Sequence, residues 1–178
     1  MLNFPRQVLP PLPVISTLSL DSVGSLMSLN PTNPASAVFP SANRAYYYPF
    51  YVSTPILPLI MFIVNGAAVS GNFDIGIYTA AGTKLWSIGT TQQLNINTVQ
   101  KVTYAGPTLG VGTFMMAVVL DNGTGTLQRG AISSVPIAQR AGIKTQNTAF
   151  PLPATATYAA PASAFVPVIG LRWDTTTI

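Results

Sequence analysis

The stretch NFDIGIYTAAGTKLWSI, Asn72 to Ile88, sets Phe73, Ile75 and Ile77 against Asn72, Asp74, Gly76 and Tyr78. Such alternation predicts a strand over Asn72 to Thr79 with one face buried. Ala80-Ala81-Gly82 makes a short hairpin loop in which Gly82 supplies a left-handed residue, and Thr83 to Ile88 returns antiparallel.

The same reading extends in both directions. Upstream, RAYYYPFYV (Arg44 to Val52) is rich in aromatic and β-branched residues, and its Pro49 points to an edge strand or a bulge. Ile56 to Asn65 follows, closed by the turn signal Asn65-Gly66. Downstream, strands are expected at Thr98 to Tyr104, Gly112 to Leu120, Leu127 to Ser133 and Phe165 to Trp173, with Asp121-Asn122-Gly123 as the turn after FMMAVVL. Roughly eight short strands with no helix of consequence describe an all-β domain, a jelly-roll-like antiparallel β-sandwich over residues 41–178. Residues 138–164, rich in Ala, Thr and Pro, carry little periodicity and read as a long loop excursion.

Residues 1–40 differ in character. Pro5, Pro10, Pro11, Pro13, Pro31, Pro34 and Pro40 break any sustained periodicity and favour an extended, polyproline-like N-terminal arm. Leu2, Phe4, Leu9, Leu12 and Ile15 are too apolar for a solvated tail and are candidate anchors on a neighbouring chain. Within the arm, DSVGSLMSL predicts a short helix with Asp21 as its N-cap.

Composition removes several function classes. The 178 residues hold eight Lys and Arg, four acidic residues (Asp21, Asp74, Asp121 and Asp174) and no His or Cys. There is no imidazole base, no thiolate and no His/Cys metal cluster, so neither catalysis nor a cofactor is expected. The basic residues are spread singly, which argues against a nucleic-acid surface. Ile56 to Val64 is shorter than the ~20 residues of a membrane-spanning helix and is interrupted by Pro58, so no membrane partner is expected. Pro10, Pro11 and Pro13 likewise break the apolar helix of a signal peptide. Only 7% of residues are charged, well under the roughly one quarter to one third expected of a freely solvated surface. Coverage by neighbouring chains, or a surface carried by Ser, Thr, Asn and Gln, would account for that deficit.

Few side chains remain as site candidates. Tyr46, Tyr47, Tyr48, Trp86 and Trp173 form a candidate aromatic contact or glycan surface, set against the plainer reading of core and subunit packing. Asp121-Asn122-Gly123-Thr124 offers oxygen atoms to a cation but lacks a second carboxylate, so no metal is expected. Its Asn122-Gly123-Thr124 also matches a glycosylation acceptor pattern.

RAYYYPFYV followed by SGNFDIGIYTAAGTKLWSIGT resembles a segment of small virion structural proteins of tailed bacteriophages, in which an aromatic-Pro-Phe strand precedes a Ser-Gly-Asn-x-Asp-x-Gly-Ile-Tyr hairpin. The residues carrying the resemblance are Tyr48, Pro49, Phe50, Ser70, Gly71, Asn72, Asp74, Gly76, Ile77, Tyr78 and Gly82. They cover about a quarter of the chain and form a strand-and-turn pattern with no catalytic signature. The resemblance implies a β-sandwich module localised to the virion: a capsid decoration or cement protein, or a tail- or fibre-associated module binding host-surface glycan. The major capsid protein or other virion proteins are the expected partners, together with copies of the chain itself in a homo-oligomer such as a trimer.

Overall fold

A computed structural model describes residues 18–21, 25–28, 35–130 and 134–173. Within them the regular secondary structure is antiparallel β-sheet apart from one six-residue helix, α1 (Val135–Arg140). One sheet has the order β1 (Leu18–Asp21), β2 (Ser25–Ser28), β13 (Ile169–Arg172), β5 (Ile60–Val64), β9 (Val99–Thr103). The larger sheet runs β12 (Lys144–Gln146), β4 (Ala45–Val52), β10 (Gly112–Leu120), β6 (Asn72–Thr79), β7 (Lys84–Ser87), with β8 (Thr91–Gln92) also on β6. A two-stranded ribbon joins β3 (Ala35–Val38) to β11 (Thr126–Arg129).

The hairpin read from alternation is present. β6 has the expected bounds, β7 returns antiparallel beside it, and Gly82 at the turn has φ +94°. Pro49 is accommodated as its missing N–H demands: β12 pairs with β4 only from Ala45 to Tyr47, so at Pro49 the side of β4 away from β10 has no ladder to break. Ile56 to Asn65 is strand only over Ile60–Val64, Ile56 making an isolated bridge to Leu109. The strand expected at Leu127 to Ser133 is Thr126–Arg129, residues 131–133 lying outside the described set.

The two sheets contribute to one apolar core. Tyr46, Tyr48 and Phe50 of β4, Phe73, Ile75 and Ile77 of β6, and Met116, Val118 and Leu120 of β10 share it with Met61, Ile63, Val102, Ile169 and Leu171 of the other sheet. Such burial is the main favourable term in folding. The opposite face of the larger sheet is also buried. Ala45, Tyr47, Tyr78, Met115, Ala117 and Val119 lie under Ala149, Leu152 and Ala156, with Phe150 and Tyr158 packed at their margin.

Residues 138–164 are largely irregular but include the end of α1 and all of β12, and residues 149–158 lie on the sheet as a cover. β-structure also precedes residue 41. β1 and β2 pair with each other and β2 pairs with β13, where a helix capped by Asp21 was expected, and Phe39 is fully buried. Ladder bonds to β13 outweigh the weak helical preference of a short segment containing Gly24. The anchors Leu2, Phe4, Leu9, Leu12 and Ile15 lie outside the described residues.

Candidate functional site

The three consecutive tyrosines are wholly buried, so none offers an open ring to a sugar. β4 points Tyr46 and Tyr48 into the shared core and Tyr47 to the opposite face. The Tyr48 hydroxyl donates to the Phe165 carbonyl at 2.9 Å, and Tyr46 and Ser163 share a hydroxyl–hydroxyl bond of 2.6 Å. Tyr47 donates to Gln146 Oε1 at 3.0 Å and meets Tyr78 and Tyr158 edge to face. Burial pushes the Tyr47 and Tyr48 phenols well above their ordinary range, so both are neutral donors at any physiological pH. A glycan platform on Tyr46 to Tyr48 is excluded because the chain covers both faces of their strand.

The tryptophans diverge. Trp86 is half-buried with its ring 4.8 Å from that of Tyr104. Trp173 packs on the core with one side and with the other lines a groove of 480 Å³ formed with Tyr51 to Leu57. Tyr51 and Leu57 are about half exposed there. The aromatic pair open to a ligand is therefore Tyr51 with Trp173. Alternation along β4 was the signal for Tyr51: it shares the outer face with Ala45, Tyr47 and Pro49, beyond the reach of the 149–158 cover.

The Asp74 and Asp121 carboxylates are engaged in the fold. Asp74 is fully buried on the outer face of β6, its Oδ1 accepting from the Gly89 N–H and its Oδ2 from the Leu152 N–H, each at 2.9 Å. Burial, the largest influence, lifts its pKa above the ordinary value despite these bonds and the nearby Lys84. Lys84 Nζ donates at 2.7 Å to the Leu152 carbonyl, so Leu152 is held at both of its backbone polar groups. Asp121 receives the Asn72 N–H at 2.9 Å, the Asn72 amide at 2.8 Å and the Asn122 amide at 2.7 Å. Asp21 belongs to β1, and Asp174 lies outside the described residues.

The Asp121 turn is a closed unit. Asn122 Oδ1 accepts from the Thr124 and Gly125 N–H groups, and its Nδ2 donates to the Ser70 carbonyl. Its oxygens are committed, and so is the amide nitrogen that glycosylation would modify. Among the described residues no three His, Cys, Asp or Glu side chains gather as a metal site.

A second buried polar group escaped the sequence reading. Gln93 Nε2 donates to Asn65 Oδ1 at 3.0 Å and to the Thr126 carbonyl at 2.9 Å, while its Oε1 accepts the Ser70 N–H at 3.0 Å. Asn65 is fully buried and donates onward to Gln100 Oε1. Amides paired across such sequence distances leave no local motif.

The residues of the hairpin motif thus have framework roles. Gly71, at φ +62°, lies so close to Asp121 that a side chain would collide with its carboxylate. A Cβ on Gly76 would meet the Trp86 carbonyl at 2.5 Å and Leu152 at 3.2 Å. Tyr78 donates to the Pro153 carbonyl at 2.6 Å, and Gly82 accepts from the Ala156 N–H at 2.7 Å. Asp74, Gly76, Tyr78 and Gly82 together seat the 149–158 cover. Comparison with protein-family models, with curated proteins and with solved structures finds no match to this chain.

Proposed function

We propose that this chain is a non-enzymatic structural protein of a bacteriophage virion, most concretely a capsid decoration or cement protein. In this reading its body is a jelly-roll-like β-sandwich that binds the shell and its own neighbours. The observation that carries the proposal is the placement of exposed apolar side chains at two opposite ends of the body. β5 runs from Ile60, paired with Arg172 and Thr103, to Val64, paired with Val99. Beyond its first end stand Tyr51, Leu57 and Val111, at 51%, 50% and 60% exposure; beyond its second stand Leu94, Ile96 and Val99, at 47%, 54% and 41%. Apolar ends on a charge-poor body suit a module packed between neighbours. Many modest contacts repeated over a shell then hold it by avidity.

A second reading, a tail- or fibre-associated module binding host-surface glycan, is favoured by the aromatic walls of the Tyr51–Trp173 groove and the Ser53 and Thr54 hydroxyls beside them. Copy number separates the two. Quantitative densitometry of purified virions is expected to give a copy number approaching that of the shell protein. A handful per particle would move the assignment to the tail, and absence from the particle would end both readings.

A further inference from the structure

The groove lined by Tyr51 to Leu57 and Trp173 contains no Lys, Arg, Asp or Glu. Tyr51, Trp173 and Pro55 give it flat apolar surfaces, and Tyr51, Ser53, Thr54 and Trp173 bring side-chain donors. Grooves of this kind suit a polyproline II segment, whose prolines stack on aromatic rings and whose carbonyls have no internal partner. The chain itself contains such a segment. Val8 to Val14 reads VLPPLPV, uncharged like the groove, with Pro10 and Pro13 three residues apart. A polyproline II helix has about three residues per turn, which puts these two prolines on one face. Of the other Pro-x-x-Pro pairs, Pro31 and Pro34 lie in the six-residue connection between β2 and β3, and Pro55 and Pro58 lie in or directly beside the segment that lines the groove itself.

We infer that the groove receives Leu9 to Pro13 of a neighbouring copy. Sheet register points to a neighbour as the donor. Leu18 pairs with Ser28, one residue beyond the Met27–Gly170 pair, whereas Trp173 follows Arg172, which pairs with Ser25. The first residue of β1 therefore stands at the far end of β13 from the groove, and β1 runs toward the groove end. To dock in its own groove the chain must reverse before Leu18, run back along the whole of β1 and cross two strand spacings, roughly 10 Å. Five residues, Pro13 to Leu18, span at most about 18 Å when straight, which leaves nothing for the reversal. A neighbour's arm has no such constraint.

The inference deepens the assembly reading by naming one contact between copies, and it is tested on the purified full-length chain so that its outcome is separate from particle attachment. Unlabelled chain carrying p-benzoylphenylalanine in place of Tyr51 is mixed with ¹⁵N-labelled chain of natural sequence, irradiated and mapped by mass spectrometry. The expected product joins position 51 of a light chain to Leu9–Pro13 of a heavy chain. In a full-length labelled chain with Pro10→Ala and Pro13→Ala the yield should fall roughly tenfold, as loss of one strong contact dictates, with an unchanged circular dichroism spectrum. Crosslinks confined to one chain, directed to another segment, absent, or undiminished by the double substitution would each overturn the inference. Protection of the groove by a neutral oligosaccharide with no arm product would assign it to sugar instead.

Discussion

Leu152 donates its backbone N–H to Asp74 Oδ2 at 2.9 Å, joining residues 78 apart in sequence across the outer face of the larger sheet. The bond fixes an irregular segment that has no ladder of its own along most of its length. Asp74→Asn puts an amide that cannot accept opposite one of the two N–H groups now satisfied by Asp74. The expected cost is about 1–3 kcal/mol, the penalty for an unsatisfied buried donor. Hydrogen exchange should quicken first at residues 149–158, before the β4–β10–β6 ladder. Uniform loss of protection would refute a local role.

The two aspartates should respond to pH in opposite senses. Burial raises Asp74 above 3.8, so the folded state holds its proton more tightly than the unfolded chain does. Its contribution to stability is full below 3.8 and declines as pH rises through the raised value. For Asp121 burial also raises the pKa and is the largest single influence, but bonds from Asn122 and Asn72 together bring it below 3.8. That contribution is full above 3.8 and declines as pH falls through the lowered value. Urea unfolding from about pH 3 to pH 6 should therefore show the Asp74→Asn penalty shrinking, and the Asp121→Asn penalty growing, as pH rises. Parallel curves for both variants and the natural chain would contradict the assignment.

β6, β7 and β10 were legible because each has a turn signal beside it, at Gly82 or at Asp121-Asn122-Gly123, and a period-two face as Phe73, Ile75 and Ile77 show. β13 had no such signal and covers only Ile169–Arg172 of the strand expected from Phe165 to Trp173. β4 was legible as a strand but not as one buried on both sides, since Tyr46, Tyr47 and Tyr48 all have aromatic rings and no polar partner breaks the run. Its outer cover, residues 149–158, is held by single bonds from Asp74, Lys84, Tyr78 and Gly82, which impose no periodicity on Leu152 or Ala156. The site was legible only in half. Trp173 was singled out by type, but its partner Tyr51 was hidden behind the more conspicuous triple tyrosine.

Tyr48 and Tyr46 provide a graded test of the buried hydroxyls. Tyr48→Phe leaves the buried Phe165 carbonyl without this donor and should cost about 1–2 kcal/mol. Tyr46 shares its bond with the half-buried Ser163 hydroxyl, which can turn to another partner, so Tyr46→Phe should cost about 0.5–1 kcal/mol. Chemical denaturation of both variants at neutral pH measures the difference. The reverse order would mean that the Phe165 carbonyl finds another donor.

Gln93→Leu tests the amide network that crosses from the Asn65 turn to β11. It removes the donor to Asn65 Oδ1 and Thr126 O and the acceptor of the Ser70 N–H. The Thr126 carbonyl keeps its bond from the Gly66 N–H, so two groups are orphaned. At about 1–3 kcal/mol for each orphaned group, a loss of roughly 2–6 kcal/mol is expected. A loss under about 1 kcal/mol would show that the network relaxes around the apolar side chain.

Truncation can separate the arm from the body only if the cut respects β1. Removing residues 1–20 takes away three of the four β1 residues and strips Leu26, Met27 and Ser28 of their partners, so lost attachment could reflect a damaged sheet edge. Removing residues 1–17 keeps all four pairs. The shorter deletion is expected to change unfolding free energy by no more than about 0.5 kcal/mol while abolishing attachment to particles, measured by co-sedimentation with virions lacking the protein. Full occupancy by this truncated chain would show that the body alone docks, and that the Pro-rich arm serves neither the shell nor a neighbour's groove in attachment.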